Sequence, residues 1–396
     1  MVARYRSVLS VPGCGRVLAT ALIARLPQGM TSLAILLLVR AHTGSYAAAG
    51  IAVGAYDFAT AAGAPVAGRL VDRFGRRHVL GPEAMLQALV LVALVLAAHA
   101  GAGAGALIVL SALAGALWPP IAPSVRALLG DLVRDARVRE TAYALESVVQ
   151  ELVWISGPLV VAGVIAFASP AAAVLLSGGV SISGTFLFVS SPAALGRGSR
   201  TARAGRAPVL AILELRSMLG PIFLIGVAIG AIAVGLPALA LHAGSRPASG
   251  LLLALWSVGS ITGGLWYGSR EWQAPLTARY RALLWTGVIC VAPLIAARTI
   301  PEGLVAAVLA GLTIAPVFSC QYALVGRAVP AGAQTEAFTW VSSALVGGLA
   351  AGSALGGGAV SMAGLSAPFV LAVVAMGLAA TSALRMPAEA EQPDLG

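Results

Sequence analysis

Three ionisable residues lie inside long apolar segments of the sequence, where a charged side chain is energetically costly. Arg25 follows about nine residues of the first segment, Asp57 lies near the middle of the second, and Glu151 lies about ten residues into the fifth. Their similar depth predicts an ion pair of Arg25 with Asp57 or Glu151. When two carboxyl groups share one guanidinium, one of them is favoured to bind a proton, because burial and the second negative charge both oppose ionisation. Asp57 and Glu151 are therefore candidate proton carriers, and the alternative is a purely structural ion pair.

Two further charged residues lie nearer to the basic ends of their segments. Glu146 of the fifth segment and Arg126 of the fourth are placed at a similar depth. This placement predicts a salt bridge that belongs to a gate rather than to proton transfer. Gln150 follows Glu146 by about one helical turn and extends the same helix face.

The second and third apolar segments are joined by the most specific motif of the chain, GRLVDRFGRR over residues 68–77. This motif closely resembles the signature loop of the major facilitator superfamily, at the place where a twelve-helix member carries it. The match covers the first glycine, the acid, the arginine after it, the second glycine and the basic pair. These residues are Gly68, Asp72, Arg73, Gly75, Arg76 and Arg77.

The resemblance implies that Asp72 and its neighbouring arginines form a charge-paired latch, a contact at a cytoplasmic gate that stabilises one access state. The implied partner of Asp72 is Arg126 or the start of the eleventh segment near Glu336, where a helix N-terminus favours negative charge. Gly68 is expected to allow close approach of two backbones, and Gly75 to allow a tight turn. The alternative for the arginines is contact with anionic lipid on the cytoplasmic side.

The fifth segment continues from Glu151 to a Gly157-Pro158 pair. This pair resembles part of the antiporter motif of superfamily exporters, although the glycine spacing before it does not match. The resemblance points to the drug-efflux-like bacterial branch of the superfamily. The alternative is that Pro158 makes an ordinary helix kink whose freed backbone groups find other partners.

The elements that must position these residues are long apolar helices. The chain of 396 residues is 59% hydrophobic and 10% charged, whereas a soluble domain carries roughly 25% charged residues. This composition excludes a water-soluble fold and predicts an all-α integral membrane protein. Twelve apolar segments, each near the ~20 residues that span a bilayer, are separated by charged or Pro/Gly-rich breaks. They lie near 17–39, 46–70, 79–99, 104–129, 142–168, 171–191, 217–243, 248–270, 280–297, 303–328, 335–360 and 364–385.

The basic residues are distributed unevenly over the connections between these segments. If the N-terminus is cytoplasmic, most of the 25 basic residues, all of them Arg, fall on the cytoplasmic side. The pattern therefore predicts that both termini are cytoplasmic and that the protein lies in the cytoplasmic membrane. The net charge of +10 then reflects orientation and contact with membrane lipids, with no nucleic acid as a partner.

An internal repeat relates the two parts of the chain. A displacement that brings Pro120 opposite Pro316 aligns the fourth segment with the tenth, and one of about 200 residues aligns Gly68 with Gly268. The repeat predicts two parallel six-helix bundles, residues 1–192 and 216–396, joined by an Arg-rich cytoplasmic linker over 193–215. The second copy of the signature loop, from Gly268 to Trp272, keeps the glycine and a base but loses the rest. This loss predicts that the first loop is the main conformational switch.

A central cavity is implied by the same resemblance, which places spans one, four, seven and ten around the transport pathway with contributions from two, five, eight and eleven. The larger polar or aromatic residues available there are candidates to line it, although filling a gap between helices is the commoner role of Trp. The predicted cavity is otherwise apolar, with few acids in the C-terminal half of the chain, and this favours a lipophilic or amphipathic substrate. The candidates are Gln28, Trp118, Trp154, Trp256, Gln321, Tyr322 and Trp340.

The leading functional hypothesis is proton-coupled export of a small organic molecule by a monomeric antiporter. The sequence contains no GxxxxGK[ST] loop, no HExxH motif and no metal-ligand spacing at Cys14, Cys290 or Cys320, so ATP, a metal, a cofactor and an enzymatic activity are not expected. One alternative is proton-coupled uptake by symport. The alternative from another class is a protein that transports nothing and serves as a receptor, an assembly partner or a lipid-modifying protein.

Overall fold

A computed structural model describes residues 2–192, 209–330 and 332–386 of the chain. Within these ranges the regular structure is helical, with a short 3₁₀ turn at Val209–Ala211 and no strand. The sixteen α-helices are numbered here in chain order. They are α1 (Val2–Ser10), α2 (Cys14–Thr43), α3 (Tyr46–Phe74), α4 (Arg76–His99), α5 (Ala104–Ala116), α6 (Ile121–Leu132), α7 (Ala136–Phe167), α8 (Pro170–Val189), α9 (Leu213–His242), α10 (Arg246–Gly268), α11 (Leu276–Val291), α12 (Pro293–Ala296), α13 (Ile300–Gly311), α14 (Ile314–Ala328), α15 (Gln334–Ala363) and α16 (Ala367–Ala383).

Helices occupy all twelve of the predicted apolar segments. Ten stretches of the described chain are long and apolar enough to cross a membrane. The helix α3 is not among them, and α16 is a shorter apolar helix of 17 residues. The all-helical membrane fold is thus confirmed, while twelve spans and cytoplasmic termini remain predictions.

Three of the segments are each divided into two helices. The fourth breaks between α5 and α6 at Trp118-Pro119-Pro120, where the prolines cannot donate backbone hydrogen bonds. Non-helical backbone at membrane depth is tolerated only where protein or a cavity surrounds it. Trp118 and Pro120 both line the central cavity described below, which accounts for the break.

Small residues allow the helices to approach closely. Gly226 and Gly230 of α9 lie against Gly348 and Gly352 of α15, and a Cβ atom at any of the four would meet the opposite backbone. Without a hydrophobic drive between helices in lipid, such close van der Waals packing is a main source of helix association. The large number of glycines in the sequence therefore serves helix contacts as well as turns.

The helices form an N-terminal group, α1–α8, and a C-terminal group, α9–α16, which meet mainly through α3 with α15 and through α7 with α10 and α14. The linker predicted over 193–215 lies largely outside the described residues, and α9 already begins at Leu213. The division into two bundles remains a prediction. The Arg-rich end of the structure is defined here as the end at which α3 ends and α4, α7 and α15 begin.

Candidate functional site

A cavity of about 410 Å³ lies between the N-terminal and C-terminal groups. Sites for small organic molecules range over ~300–1,000 Å³, so the volume suits such a ligand. Side chains of α2, α3, α6 and α7 line one side, and side chains of α9, α10, α14 and α15 line the other. Most of these side chains are apolar, which makes the cavity suitable for an amphipathic molecule.

Five of the seven predicted cavity residues line this cavity: Gln28, Trp118, Trp154, Trp256 and Tyr322. Gln321 and Trp340 do not. The helix α14 turns toward the cavity the face that carries Ile314, Phe318 and Tyr322. Gln321 is next to Tyr322 in sequence, so its side chain points about 100° away from that face. The sequence identified the helices that line the cavity, while the tertiary structure decided which face of each is turned inward.

A buried group of three charged side chains forms one wall of the site. Arg25 donates from Nη2 to Glu146 Oε2 at 2.7 Å, and Arg126 donates from Nε to Glu146 Oε1 at 3.2 Å. All three residues are at most 5% exposed. The predicted salt bridge between Glu146 and Arg126 is therefore present, with Arg25 as a second partner of the same carboxylate.

The predicted pair of Arg25 with Asp57 or Glu151 is not formed. The helix α7 begins at Ala136, about six residues before the start predicted for the fifth segment, so Glu151 lies ~9 Å farther along the helix than expected. Glu146, about ten residues into α7, lies at the depth that Arg25 reaches. The structure thus corrects the partner of Arg25 to Glu146.

A network of weaker contacts surrounds these charges. Gln150 Oε1 lies 3.5 Å from Arg25 Nη1 and 3.5 Å from Arg126 Nη2, and Gln150 Nε2 donates to Gln28 Oε1 at 3.3 Å. Arg126 also reaches the C-terminal group, with Nη1 3.4 Å from Ser342 Oγ and Cζ 4.1 Å from the centre of the Tyr322 ring. Arg126 therefore connects both groups of helices at the cavity wall.

Glu151 lines the cavity and contacts the opposite group of helices. Its Oε1 accepts a hydrogen bond from Ser260 Oγ of α10 at 2.9 Å, and Ser257 of the same helix also lines the cavity. Among the described residues, no arginine or histidine forms an ion pair with Glu151. The sequence did not identify Ser257 and Ser260, although their spacing of three residues places them on one helix face.

Asp57 has a different environment. Its Oδ1 accepts a hydrogen bond from Ser32 Oγ of α2 at 2.9 Å, within the N-terminal group. The described lining of the central cavity does not include Asp57. Of the two candidate proton carriers, Glu151 is therefore the one that contacts both the cavity and the opposite group of helices.

The signature loop contacts the start of α15 at the Arg-rich end. Asp72 accepts hydrogen bonds from the backbone N–H groups of Thr335 at 3.2 Å and Glu336 at 2.8 Å, which is the favourable arrangement of an acid at a helix N-terminus. Arg69 binds Glu336 with two hydrogen bonds, at 2.6 and 3.1 Å. The resemblance implied that Asp72 contacts either Arg126 or the start of the eleventh segment. The structure shows the second of these contacts.

The two glycines of the loop occupy positions that require glycine. Gly68 packs against Thr339 and Glu336, and a Cβ atom there would collide with them. Gly75 has φ 89°, a conformation that side chains with a Cβ atom rarely adopt. Close approach at Gly68 brings α3 against α15, and the turn at Gly75 directs α4 away from it.

The remaining arginines of the loop differ in their contacts. Arg76 lies 3.3 Å from Asp131 at the end of α6. Arg73 and Arg77 are exposed, as expected for residues that face lipid headgroups or water. Whether each residue of the loop acts as a gate remains a prediction.

A second set of ion pairs, called the second latch below, joins the two groups of helices and was not predicted from the sequence. Glu140 of α7 accepts two hydrogen bonds from Arg279 of α11, at 2.8 and 3.1 Å, and one from Arg327 of α14 at 3.1 Å. Glu140 and Glu336 are separated by the same displacement as Pro120 and Pro316. The internal repeat could therefore have identified Glu140 as the counterpart of Glu336.

Gly157 makes a helix contact. A Cβ atom on Gly157 of α7 would meet the backbone of Gly29 of α2. The helix α7 continues through Pro158 to Phe167. Close packing of α2 and α7 therefore accounts for Gly157, whereas a role of the Gly157-Pro158 pair in transport remains a prediction.

The described hydrogen bonds between the two groups of helices lie at the cavity or at the Arg-rich end. At that end they include both latches, the hydrogen bond of Tyr5 OH to Leu265 O at 2.7 Å, and contacts of Arg4 with Arg270 and Glu271. The structure thus joins the two groups most firmly at the Arg-rich end.

Removing the second latch is expected to open the Arg-rich end. In Glu140→Gln the buried Arg279 loses its charged hydrogen bonds, which are worth about 1.5–3 kcal/mol each, so the open fraction should increase by roughly tenfold or more. Spin labels at the exposed residues Arg137 and Gln273 should show a longer distance between the two groups.

Adding Asp72→Asn to Glu140→Gln is expected to increase the open fraction further, since both latches are then weakened. Glu302→Gln serves as the control, because Glu302 caps the start of α13 and its described hydrogen bonds stay within residues 298–302, away from both latches. An unchanged distance distribution in the double variant would show that the two latches do not hold this end closed.

Comparison with known proteins agrees with this architecture. The sequence profile described as Major Facilitator Superfamily matches residues 17–270. No curated protein shows significant sequence similarity to the chain.

Several solved structures share the fold. The crystal structure of a bacterial homologue of the iron transporter ferroportin in an outward-facing state has a TM-score of 0.78 and 14% identity, and covers 94% of this chain and 98% of its own. The human organic anion transporter MFSD10 (TETRAN) has a TM-score of 0.73 and 18% identity, and the similarity covers 94% of this chain and 99% of that transporter. The proton:xylose symporter XylE bound to 6-bromo-6-deoxy-D-glucose has a TM-score of 0.71 and 11% identity, and the similarity covers 93% of this chain and 94% of that symporter.

At these sequence identities, the similarity to solved structures shows the fold alone. The match to the sequence profile covers well over half of the chain. It confirms the family that the motif at residues 68–77 indicated. The chain therefore belongs to the major facilitator superfamily and is a multi-pass membrane transporter.

Proposed function

We propose that the protein is a proton-coupled secondary transporter of small amphipathic organic molecules, in which Glu151 binds the proton. The observation that carries this proposal is the position of the Glu151 carboxyl group. It lines the cavity, has no cationic partner among the described residues, and is hydrogen-bonded to Ser260 on the opposite group of helices.

Protonation of Glu151 is coupled to closure of the cavity by electrostatics. An ionised carboxylate sealed from water without a counter-ion costs several kcal/mol, whereas a protonated one satisfies its oxygens by hydrogen bonds to Ser257 and Ser260. The free energy of closing the N-terminal and C-terminal groups around the cavity therefore depends on whether Glu151 carries a proton and on the charge of the molecule that the cavity holds. Rocking of the two groups around the cavity exposes this residue to the two sides in turn.

The orientation follows from the distribution of arginines. With the Arg-rich end in the cytoplasm of a bacterial cell, the two latches close the cytoplasmic side, and the structure corresponds to a state with outward access. One similar fold, the ferroportin homologue, was solved in an outward-facing state, which supports the same reading.

Export by antiport is the mode that the Gly157-Pro158 pair predicts, and we retain it as the first candidate. Substrate and proton would then compete for the Glu151 region of the cavity, and membership of the drug-efflux-like branch would follow. The support from this pair is reduced, because packing against Gly29 explains Gly157 without transport.

Uptake by symport is the second candidate, and the charge of the site favours it. Arg25 and Arg126 are balanced by Glu146 and an ionised Glu151, so a proton on Glu151 leaves one positive charge in excess. An anionic substrate would neutralise this charge. The similar folds include an organic anion transporter and a proton:xylose symporter, so an anionic substrate and proton symport are each compatible with the architecture.

Flux measurements in everted membrane vesicles test the proposal. An imposed pH gradient should drive accumulation of at least one compound from a panel of lipophilic cations, anions and neutral molecules. Movement against the direction of proton flow identifies antiport, and movement with it identifies symport. If no compound moves under the gradient or stabilises the purified protein against heat, the proposed function is wrong.

A further inference from the structure

The ionisable side chains that line the cavity are unequal in sign. Among the described lining residues, Arg25 and Arg126 are cations, Glu151 is the only acid, and Tyr322 is a fourth titratable group. Glu146 lies behind the two arginines and is paired with both. The surface that a ligand meets is therefore more basic than the sum of the charges suggests.

Arg126 has unused donor capacity toward the cavity. Only its Nε forms an ion pair, whereas Nη1 and Nη2 make contacts of 3.4 and 3.5 Å to Ser342 and Gln150. Hydrogen bonds from a guanidinium to a strong acceptor measure about 2.7–2.9 Å, so these two nitrogens lack one. The side chain of Arg126 is 6% exposed, which means that water replaces such an acceptor only in part.

The geometry of Arg126 is suited to a planar anion. Its guanidinium lies over the ring of Tyr322, which in turn stacks on Phe318 with ring centres 6.0 Å apart, and these contacts hold the plane of the guanidinium. The two terminal nitrogens then form a fork that matches the two oxygens of a carboxylate. Arg25, whose Nη2 is 2.7 Å from Glu146, acts as a positioning residue for Glu146.

The rest of the cavity accommodates an apolar body. Trp118, Trp154 and Trp256 line it together with Ile121 and Phe318. Aromatic side chains offer a large apolar surface with little conformational freedom to lose on binding. A ligand with one anionic group and a hydrophobic or aromatic body therefore fits both the charge and the walls.

We propose that the cavity binds a lipophilic monocarboxylate, with the carboxylate held by Arg126, and that this anion moves together with one proton bound to Glu151. The inference rests on the proposed transport function and names its substrate class. It selects symport over antiport for this substrate.

The balance of charge explains the coupling. With the cavity empty and Glu151 ionised, the charges of the two arginines, Arg25 and Arg126, and the two glutamates, Glu146 and Glu151, sum to zero. A bound anion alone makes the site negative, and a proton alone makes it positive, while both together restore neutrality. Because enclosing a net charge in a low-dielectric site is costly, only the empty state and the fully loaded state close readily.

Binding of three matched probes tests the substrate class. 4-Phenylbutyrate, 4-phenylbutanol and 4-phenylbutylamine share one body and differ in the charged group, and quenching of the cavity tryptophans reports their binding. The carboxylate is expected to bind at least tenfold more tightly than the alcohol and the amine. Equal or tighter binding of the alcohol or the amine, or no binding of the carboxylate at millimolar concentration, would overturn the proposal.

Variants of the purified protein locate the site. Arg126→Gln leaves the pair of Arg25 with Glu146 and should weaken the binding of 4-phenylbutyrate at least tenfold. Arg126→Lys should weaken this binding less. Arg16→Gln, at an exposed residue outside the cavity and outside both latches, should have no effect. Glu151→Gln imitates the protonated acid and should bind the carboxylate about tenfold more tightly than the parent at pH 8, with little dependence on pH. If Arg126→Gln kept the full affinity for 4-phenylbutyrate, the carboxylate would not be held by Arg126. The comparison of the three probes uses only the parent protein, so it does not depend on the folding of any variant.

The outcomes also separate this inference from the proposed function. If 4-phenylbutyrate binds through Arg126 but no proton-driven flux is found, the anion site stands and the transport mechanism fails. If proton-driven flux is found only for neutral or cationic compounds, the transport mechanism stands and the anion proposal fails.

Discussion

Glu151→Gln is expected to abolish accumulation of substrate driven by a pH gradient in proteoliposomes, with a loss of at least tenfold. The glutamine keeps a hydrogen bond to Ser260 and imitates the protonated carboxyl group, so the cavity can still bind substrate and close. Exchange of substrate between the two sides at equal pH should therefore continue. This separation of exchange from accumulation is the specific signature of a lost proton site.

Asp57→Asn is the matched control for this prediction, since it also replaces one half-buried carboxyl group by an amide. Asp57 contacts Ser32 within the N-terminal group and does not line the described cavity, so accumulation should be retained. If Asp57→Asn abolished accumulation and Glu151→Gln did not, the proton would be assigned to Asp57. Loss in both variants would indicate two coupled sites.

Glu146→Gln is expected to destabilise the protein by about 3–5 kcal/mol, because it leaves Arg25 and Arg126 buried without their common counter-ion. The loss should be visible as a lower midpoint of thermal unfolding in detergent and as a reduced yield of folded protein. Both arginines are at most 5% exposed, so water can compensate only slightly for the missing charge.

The coupling of these residues can be tested by adding Arg25→Gln. Removing one cation together with the acid leaves a single buried charge, so the double variant should be more stable than the sum of the two single losses predicts. Glu302→Gln, at the exposed end of α13, should change the midpoint very little. A Glu146→Gln protein as stable as the parent would show that the three charges are hydrated in the membrane.

The predicted latch illustrates a contact that the family resemblance of a short motif implied before the structure was known. Gly68 was expected at a close helix contact, Gly75 at a tight turn and Asp72 in a latch with Arg126 or the start of the eleventh segment, and the structure places Asp72 on the start of α15. The motif is short and continuous, so it could be recognised without coordinates, although the contact that it makes joins residues 263 positions apart. The second latch at Glu140 combines residues from α7, α11 and α14, and no continuous motif records it.

The position of the cavity illustrates the opposite case. Helices could be assigned to the pathway from the family resemblance, yet Gln321 and Trp340 lie outside the lining while Ser257 and Ser260 lie within it. Turning a helix by one residue changes the direction of a side chain by about 100°. An alternation of apolar and polar residues normally indicates this direction, but it is weak in a chain whose helices face lipid on one side and apolar helices on the other.

The sequence by itself determined that this protein is a helical membrane transporter of the major facilitator superfamily, because hydrophobic length and a continuous motif are local properties. It also identified the buried charges, since an arginine or a glutamate within an apolar segment is evident without coordinates. Only the tertiary structure decided that Arg25 pairs with Glu146 and that Glu151 is left for the cavity. An ion pair requires atoms within 4 Å, whereas an error of a few residues in a helix start displaces a side chain by several ångströms along the axis.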